Sequence, residues 1–463
     1  MDTTTAKQPL NGQQVTGEQI TQERQKGVAE DKKPQKKITT LSKEELKGVI
    51  NKISTASSAQ DEKDDVITLR VTGESPIITL VNNILLKAAE ECASDIHIEP
   101  TDKNLRIRYR VDGVLRPTKD IDDLKSSMKV SLVSRIKILS RLDIAEKRLP
   151  QDGRIKLKYD GGEMDFRVST LPTIYGEKVV MRLLDKSNLQ LDLKLLGFDD
   201  NQLTDFEESI EKPYGMILVT GPTGSGKTTT LYSGLSRLNK PGVNIMTAED
   251  PVEYNLSGVN QVQINHDIGL NFASTLRSFL RQDPDVIMVG EIRDFDTAEI
   301  AVKAALTGHL VLSTLHTNDA PSTITRLINM GIEPFLVSSA VVLVVAQRLA
   351  RKICKDCKTE HKISEKQLLK IGFSEEDIKS NKWYKGAGCP TCNNTGYKGR
   401  IALYEIMTLN DELKDVIMDG GTAEDIKKDA IKHGMLTLRQ SGINKVKEGL
   451  ITVDEVLRCT FGD

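Results

Sequence analysis

The chain has 463 residues, 38% of them hydrophobic and 28% charged, with a formal net charge of -2. That length implies two to four domains rather than one. The near-zero charge excludes a global field favouring nucleic acid or an anionic membrane, and no apolar run approaches the ~18 residues of a membrane-spanning helix.

The first residues, Met1 to Gln8, lack the apolar core of a secretory signal, so a cytoplasmic chain is expected. Six cysteines in a reducing compartment then point to metal binding or burial, not disulfides. Residues 1–65 are polar, without an aromatic residue, and are expected to be a disordered or linker segment. One helix is predicted within them, Leu41–Ile53, from the spacing of Leu41, Leu46, Val49, Ile50 and Ile53.

Residues 66–190 read as a small α+β domain. A helix is predicted from Pro76 to Ala89, with Ile77, Leu80, Val81, Ile84 and Leu85 on one side. Strands are predicted at Ala93–Pro100 and Leu105–Val111, the second alternating strictly and ending in the hairpin signal Asp112-Gly113. A helix at Ser127–Ile138 follows, then strands at Ile155–Tyr159, Met164–Ser169 and Val179–Leu184.

Residues 191–353 alternate short apolar runs with helices, the pattern of a central parallel sheet in a RecA-like α/β core. The runs are Met216–Thr220, Asn244–Ala248, Val286–Val289 and Leu310–Thr314. Gly221, Pro222, Thr223, Gly224, Ser225, Gly226, Lys227, Thr228 and Thr229 follow the first run. This is a P-loop: its glycines let backbone N–H groups converge on phosphate, Lys227 serves the β- and γ-phosphates, and the Thr228 hydroxyl is a Mg²⁺ ligand. ATP binding is therefore expected.

Glu291 follows the third run and Gly290, so it is the candidate general base or water-orienting group, whereas Asp285 begins that run at the wrong end. Glu249, Asp250 and Glu253 follow the second run; three carboxylates so close repel unless a cation is present, and a Mg²⁺–nucleotide site would explain them. His309 and His316 flank the fourth run and are candidate sensors of the γ-phosphate.

Residues 354–405 hold two Cys-x2-Cys pairs, Cys354/Cys357 and Cys389/Cys392, which suit a structural tetrahedral Zn²⁺. Cys92 and Cys459 stand alone and are expected in the core. Residues 406–463 read as a C-terminal helical domain, with helices at Leu409–Val416, Ala423–His433, Thr437–Glu448 and Val453–Cys459.

Four stretches, Gly221–Thr228, Ala248–Tyr254, Asp285–Asp294 and Gly308–Asn318, resemble the Walker A, Asp box, Walker B and His box of type II secretion and type IV pilus ATPases. Ala93–Pro100, Tyr109–Gly113, Arg148–Arg154 and Arg167–Pro172 are similar to that family's PAS-like N-terminal domain, and Gly434–Arg439 and Gly449–Val456 to its C-terminal domain. The resemblance implies a homo-hexameric ring with nucleotide between the two lobes of a subunit and its neighbour, and arginines of the N-terminal domain acting across the cleft on the γ-phosphate. Arg167 and Arg182 match best, with Arg154 behind them. It further implies a motor at the inner face of the cell membrane, working through an inner-membrane platform protein. The tetracysteine insert marks assembly-type members, which tilts the chain toward building pili; the motifs do not separate pilus assembly from type II secretion. Residues 1–65 are too short and polar for the folded N-terminal module that many assembly ATPases carry. A nucleic-acid translocase is disfavoured, since no basic stripe with interleaved aromatics is present.

Overall fold

The computed structural model describes residues 67–68, 75–118, 124–159, 162–184 and 191–460. The helix predicted at Leu41–Ile53 lies outside them.

Two sheets organise these residues. The first has eight strands: β1 (Ile67–Thr68), β2 (Asp95–Pro100), β3 (Asn104–Val111), β4 (Val114–Pro117), β5 (Leu124–Lys125), β6 (Gln151–Tyr159), β7 (Gly162–Thr173) and β8 (Gly176–Leu184). Their order is β1-β6-β7-β8-β2-β3-β4, with β5 also on β3. Alternation sorts the two faces. In β3, Leu105, Ile107 and Tyr109 are buried, while Arg106, Arg108 and Arg110 point to the other side. Helices α1 (Pro76–Glu90) and α2 (Lys129–Leu139) contribute Leu80, Ile84, Leu132 and Ile136 to the core on the apolar face. The Tyr109 hydroxyl donates to the Ile84 carbonyl at 2.8 Å, so this buried ring has its polar end satisfied. Asp112 and Gly113 both have positive φ, 49° and 82°, as a two-residue hairpin turn matching the sheet twist requires.

The second sheet has seven strands in the order β11-β10-β12-β13-β9-β14-β17. These are β9 (Gly215–Thr220), β10 (Ile245–Glu249), β11 (Asn260–Gln263), β12 (Val286–Val289), β13 (Leu310–Leu315), β14 (Val341–Ile353) and β17 (Tyr397–Thr408), with the two-stranded pair β15 (Lys358–Glu360) and β16 (Tyr384–Gly386) between the last two. All neighbours pair in parallel except β14 and β17. Strands β9, β12 and β13 are buried along their whole length, as apolar runs covered on both faces must be.

Helices α3 (Asp200–Ile210), α4 (Lys227–Leu238), α5 (Phe272–Phe279), α6 (Phe295–Leu306), α7 (Pro321–Asn329) and α8 (Pro334–Ala340) surround this sheet. The short α9 (Glu365–Ile371) and α10 (Glu375–Ser380) lie in the cysteine insert. Helices α11 (Asp411–Met418), α12 (Ala423–Lys432), α13 (Leu438–Lys447) and α14 (Val453–Cys459) close the described chain. Leu413, Ile426, Leu438 and Val456 of those last helices share one core with Val344 of β14 and Leu403 of β17.

The expected division between 405 and 406 falls inside β17. The buried run Ala402–Met407 carries the strand through it and pairs it along β14.

Candidate nucleotide site and cysteine cluster

Strand β9 ends at Thr220 and α4 begins at Lys227, so the glycine loop joins a buried strand to a helix N-terminus. That end of a helix carries free N–H groups and partial positive charge, suited to phosphate. Gly221 and Gly226 have φ of 144° and 94°. Space matters as much as φ. A Cβ on Gly221 would lie 2.5 Å from the Gln347 carbonyl oxygen, and one on Gly226 would lie 2.8 Å from Gln347 Nε2. The loop is thus pressed onto β14. Lys227 Nζ donates to the Gly221 carbonyl at 2.7 Å. Burial lowers its pKa to about 8; Glu291 opposes that shift and Arg348 adds to it. The Ser225 Oγ is buried with no partner among the described residues. Thr228 is exposed at the mouth, with Thr229 half-buried behind it. A cradle that Cβ atoms would fill, a buried unpaired hydroxyl and an accessible threonine fit a Mg²⁺-nucleotide.

Glu291 stands two residues past β12. Its carboxylate accepts from Arg293 at 2.6 Å and lies 3.2 Å from His316 Nε2. Burial alone would raise this carboxyl, but Arg293 and His316 outweigh it and hold the group below the usual carboxylate value. Glu291 is therefore ionised at neutral pH. His316 follows β13 and Glu291 follows β12, and the two strands are parallel neighbours, which is why the two side chains meet.

The acidic stretch divides. Glu253 is half-buried and binds Arg167 of β7, with contacts of 3.1 Å (Nη1–Oε1) and 2.9 Å (Nη2–Oε2), a bidentate geometry that links the two sheets. Asp250 lies 3.3 Å from His266. Glu249 is only 3% exposed. Its carboxylate accepts from the Tyr232 hydroxyl, from Thr247 Oγ1 at 2.6 Å and from Gln261 Nε2 at 3.0 Å. Its lone pairs are spent holding α4, β10 and β11 together, so the structure keeps this carboxylate inside the protein instead of presenting it to the cleft.

Arg154, Arg167 and Arg182 are cross-strand partners on β6, β7 and β8 and so share one face. Three adjacent cations repel, and each is met by its own carboxylate. Asp165 takes Arg154 (2.7 Å), Glu253 takes Arg167 and Asp95 takes Arg182 (2.9 Å).

A sequence profile of the type II/IV secretion system protein family matches residues 70–458. The type IV pilus assembly ATPase PilB of Myxococcus xanthus is 56% identical over 398 residues, 85% of this chain and 69% of that one. The type II secretion system protein E of Pseudomonas aeruginosa is 48% identical over 417 residues, 90% of this chain and 81% of that one. The crystal structure of the pilus retraction motor PilT with bound ADP is 27% identical, with a TM-score of 0.55 over 81% of this chain and 95% of that one.

The chain belongs to the type II/IV secretion system protein family. It is a P-loop ATPase with the mixed α/β architecture of these proteins.

His309 stands apart from this ATPase's P-loop. It precedes β13, whereas His316 follows it, and its Nδ1 lies 3.1 Å from the Ala304 carbonyl. A strand six residues long places the two histidines at opposite ends of the sheet. Asp285 sits at that far end too, accepting from the Asn244 N–H at 2.7 Å.

Two partners escaped the sequence reading. Arg293 is two residues beyond Glu291, and in an extended segment that spacing returns a side chain to the same side. Arg348 lies beside Gly221 and donates to the Asn318 carbonyl at 2.7 Å. The signal for it was the unassigned apolar run Val341–Ala346, which is the start of β14.

In the insert, the four thiol sulfurs of Cys354, Cys357, Cys389 and Cys392 lie within 4.8 Å of one another, with spacings of 3.8 Å (354–389), 3.8 Å (357–392) and 3.7 Å (389–392). A tetrahedron of sulfurs at a zinc–sulfur bond of about 2.3 Å has edges of about 3.8 Å. Burial would raise the Cys392 thiol, but N–H groups of Cys389 and Gly396 outweigh it and bring it down to about 6. Cys357 is pushed up to about 12 by burial, so ionising all four requires a cation. Of the two lone thiols, Cys459 is largely buried, whereas Cys92 is exposed just past α1.

Proposed function

We propose that this ATPase is the motor that assembles a type IV pilus, turning ATP hydrolysis in a six-membered ring into movement of an inner-membrane platform protein. The reading rests above all on the 56% identity to a pilus assembly ATPase, together with a cysteine cluster of zinc dimensions. No helix among the described residues is long and apolar enough to cross a membrane, so attachment to the membrane would run through partners.

In this reading ATP lies on the loop Gly221–Thr229, with Lys227 between its β- and γ-phosphates. Mg²⁺, held by the Thr228 hydroxyl, would neutralise charge on the phosphate oxygens. The Glu291 carboxylate accepts a hydrogen bond from the attacking water and aligns it, while His316 and Arg293 fix the carboxylate. Arg167 would leave Glu253 to meet the charge that develops on the γ-phosphate, and Arg182 would serve beside it. The electrostatic gain is greatest where water is excluded, so closing the two sheets on the nucleotide ties chemistry to motion. Zn²⁺ on the four cysteines would staple the insert and take no part in hydrolysis.

The 48% identity to a secretion ATPase supports a second reading, the type II secretion motor. One experiment tests both. Lys227→Ala in the source organism should remove surface fibres counted by electron microscopy while secreted protein stays normal. Normal fibres with lost secretion would move the assignment to the secretion motor.

A further inference from the structure

The loop after β15, helix α9 and strand β16 of the cysteine insert face the start of α13 and α14 across a cavity of about 580 Å³. It lies outside the P-loop site and takes no part in the chemistry above. Its apolar lining is Ile363 and Ile371 from the insert and Val453 and Leu457 from α14. Leu457 is 40% exposed, high for a leucine in a helix otherwise packed on the core. The remaining lining is strongly basic. Lys362, Lys370, Lys385 and Arg439 face the cavity against one carboxylate, Asp454. The three lysines are exposed and have no acidic partner among the described residues. Arg439 donates one Nη2 bond to the Thr460 carbonyl at 2.8 Å, while its Nε is buried with no partner.

We propose that this seam binds an acidic peptide segment with one large apolar side chain, presented by a protein partner. The volume suits a few residues of extended chain. The four cations come from four separate segments: the loop after β15, the end of α9, strand β16 and the start of α13. Spaced cations match successive carboxylates along a strand, whereas a phosphate needs donors converging on one point. Tyr384 and Tyr397 are also poor platforms for a nucleotide base, since each ring already has a cation over one face, Lys358 and Arg351, both at 4.2 Å. The apolar lining of α9 and α14 receives the anchor, and a filled site joins the insert to the last helices.

Fluorescence anisotropy on the purified full-length protein tests this, using labelled Asp-Glu-Phe-Glu-Asp, its alanine-centred counterpart and Lys-Lys-Phe-Lys-Lys. The acidic phenylalanine peptide should bind saturably, at least about tenfold tighter than the alanine peptide, and the basic peptide should not bind. Affinity should fall between about 50 and 300 mM salt. Lys370→Glu with Lys385→Glu should weaken binding at least about tenfold, and the charge-matched control Lys194→Glu with Lys240→Glu should leave it unchanged. Basal ATPase activity should be the same in every variant. No saturable binding up to about 1 mM overturns the proposal, as do equal affinities for the phenylalanine and alanine peptides, an unaffected Lys370/Lys385 variant, or displacement by an equal concentration of inorganic phosphate.

Discussion

Lys227 has two neighbours of opposite sign and a buried stem, and this sets a pH dependence. Burial brings its pKa down from 10.5 to about 8. As pH rises through that value the ammonium loses its proton, and the phosphates lose their nearest cation. Bound ATP restores the charged form, so the loss belongs to the free enzyme. We expect kcat/KM for ATP to fall by about tenfold per unit above pH 8, with kcat at saturating ATP holding over the same range. A flat kcat/KM from about pH 7 to 9.5 would remove Lys227 from this role. Stability runs the other way. Between about 8 and 10.5 the unfolded chain binds more protons at this residue than the folded one, so this contribution to stability rises with pH. Opposite signs for affinity and stability distinguish the effect from alkaline unfolding.

At the level of elements, the insert depends on close backbone approach as well as on cysteines. Strand β16 crosses the second knuckle so tightly that a Cβ on Gly386 would lie 2.0 Å from the Gly396 carbonyl oxygen. The Cys354 N–H donates to that same Gly396 at 2.9 Å, and the Ala387 N–H to the Cys357 carbonyl at 2.9 Å. These turns bring the sulfurs together, and the metal would hold the turns. Cys389→Ser should therefore lose bound zinc by elemental analysis and make residues 354–396 susceptible to limited proteolysis, while the second sheet stays resistant. Wild-type protein that carries no zinc would overturn the assignment of the metal. The cysteine spacing was legible in the sequence because ligands come in local pairs. The glycine loop was legible for the same reason, since it is written in a few adjacent residues. The pairing of β14 with β17 was not. Leu343 and Thr408 are brought together only by the insert between the strands, and neither strand carries a turn signal that names its partner. The place of His309 was not legible either, because a strand's two ends look alike in sequence, and His309 stands before β13 whereas His316 follows it.

For the molecule as a whole, the decisive question is which chain's arginine serves which chain's nucleotide. In the structure Arg167 of the first sheet binds Glu253 in the loop after β10 of the same chain, so the lobes that meet over this acidic loop belong to one chain. Within a ring of proposed neighbours, that geometry predicts action within the subunit. Subunits carrying Arg167→Ala keep an intact P-loop, and subunits carrying Lys227→Ala keep an intact arginine. If Arg167 serves its own chain, mixing the two after joint refolding restores nothing, because no site ever has both groups. If it served the neighbour, a random equal mixture would pair an intact loop with an intact arginine at about a quarter of the sites. Wild-type protein mixed with each variant supplies the scale, showing how much activity a ring retains when some of its sites are dead. Against that scale we expect the doubly mutant mixture to stay at the level of the separate variants. Recovery toward a quarter of the wild-type rate would mean that Arg167, on leaving Glu253, reaches the neighbour's nucleotide, and that hydrolysis in one subunit is completed by the next.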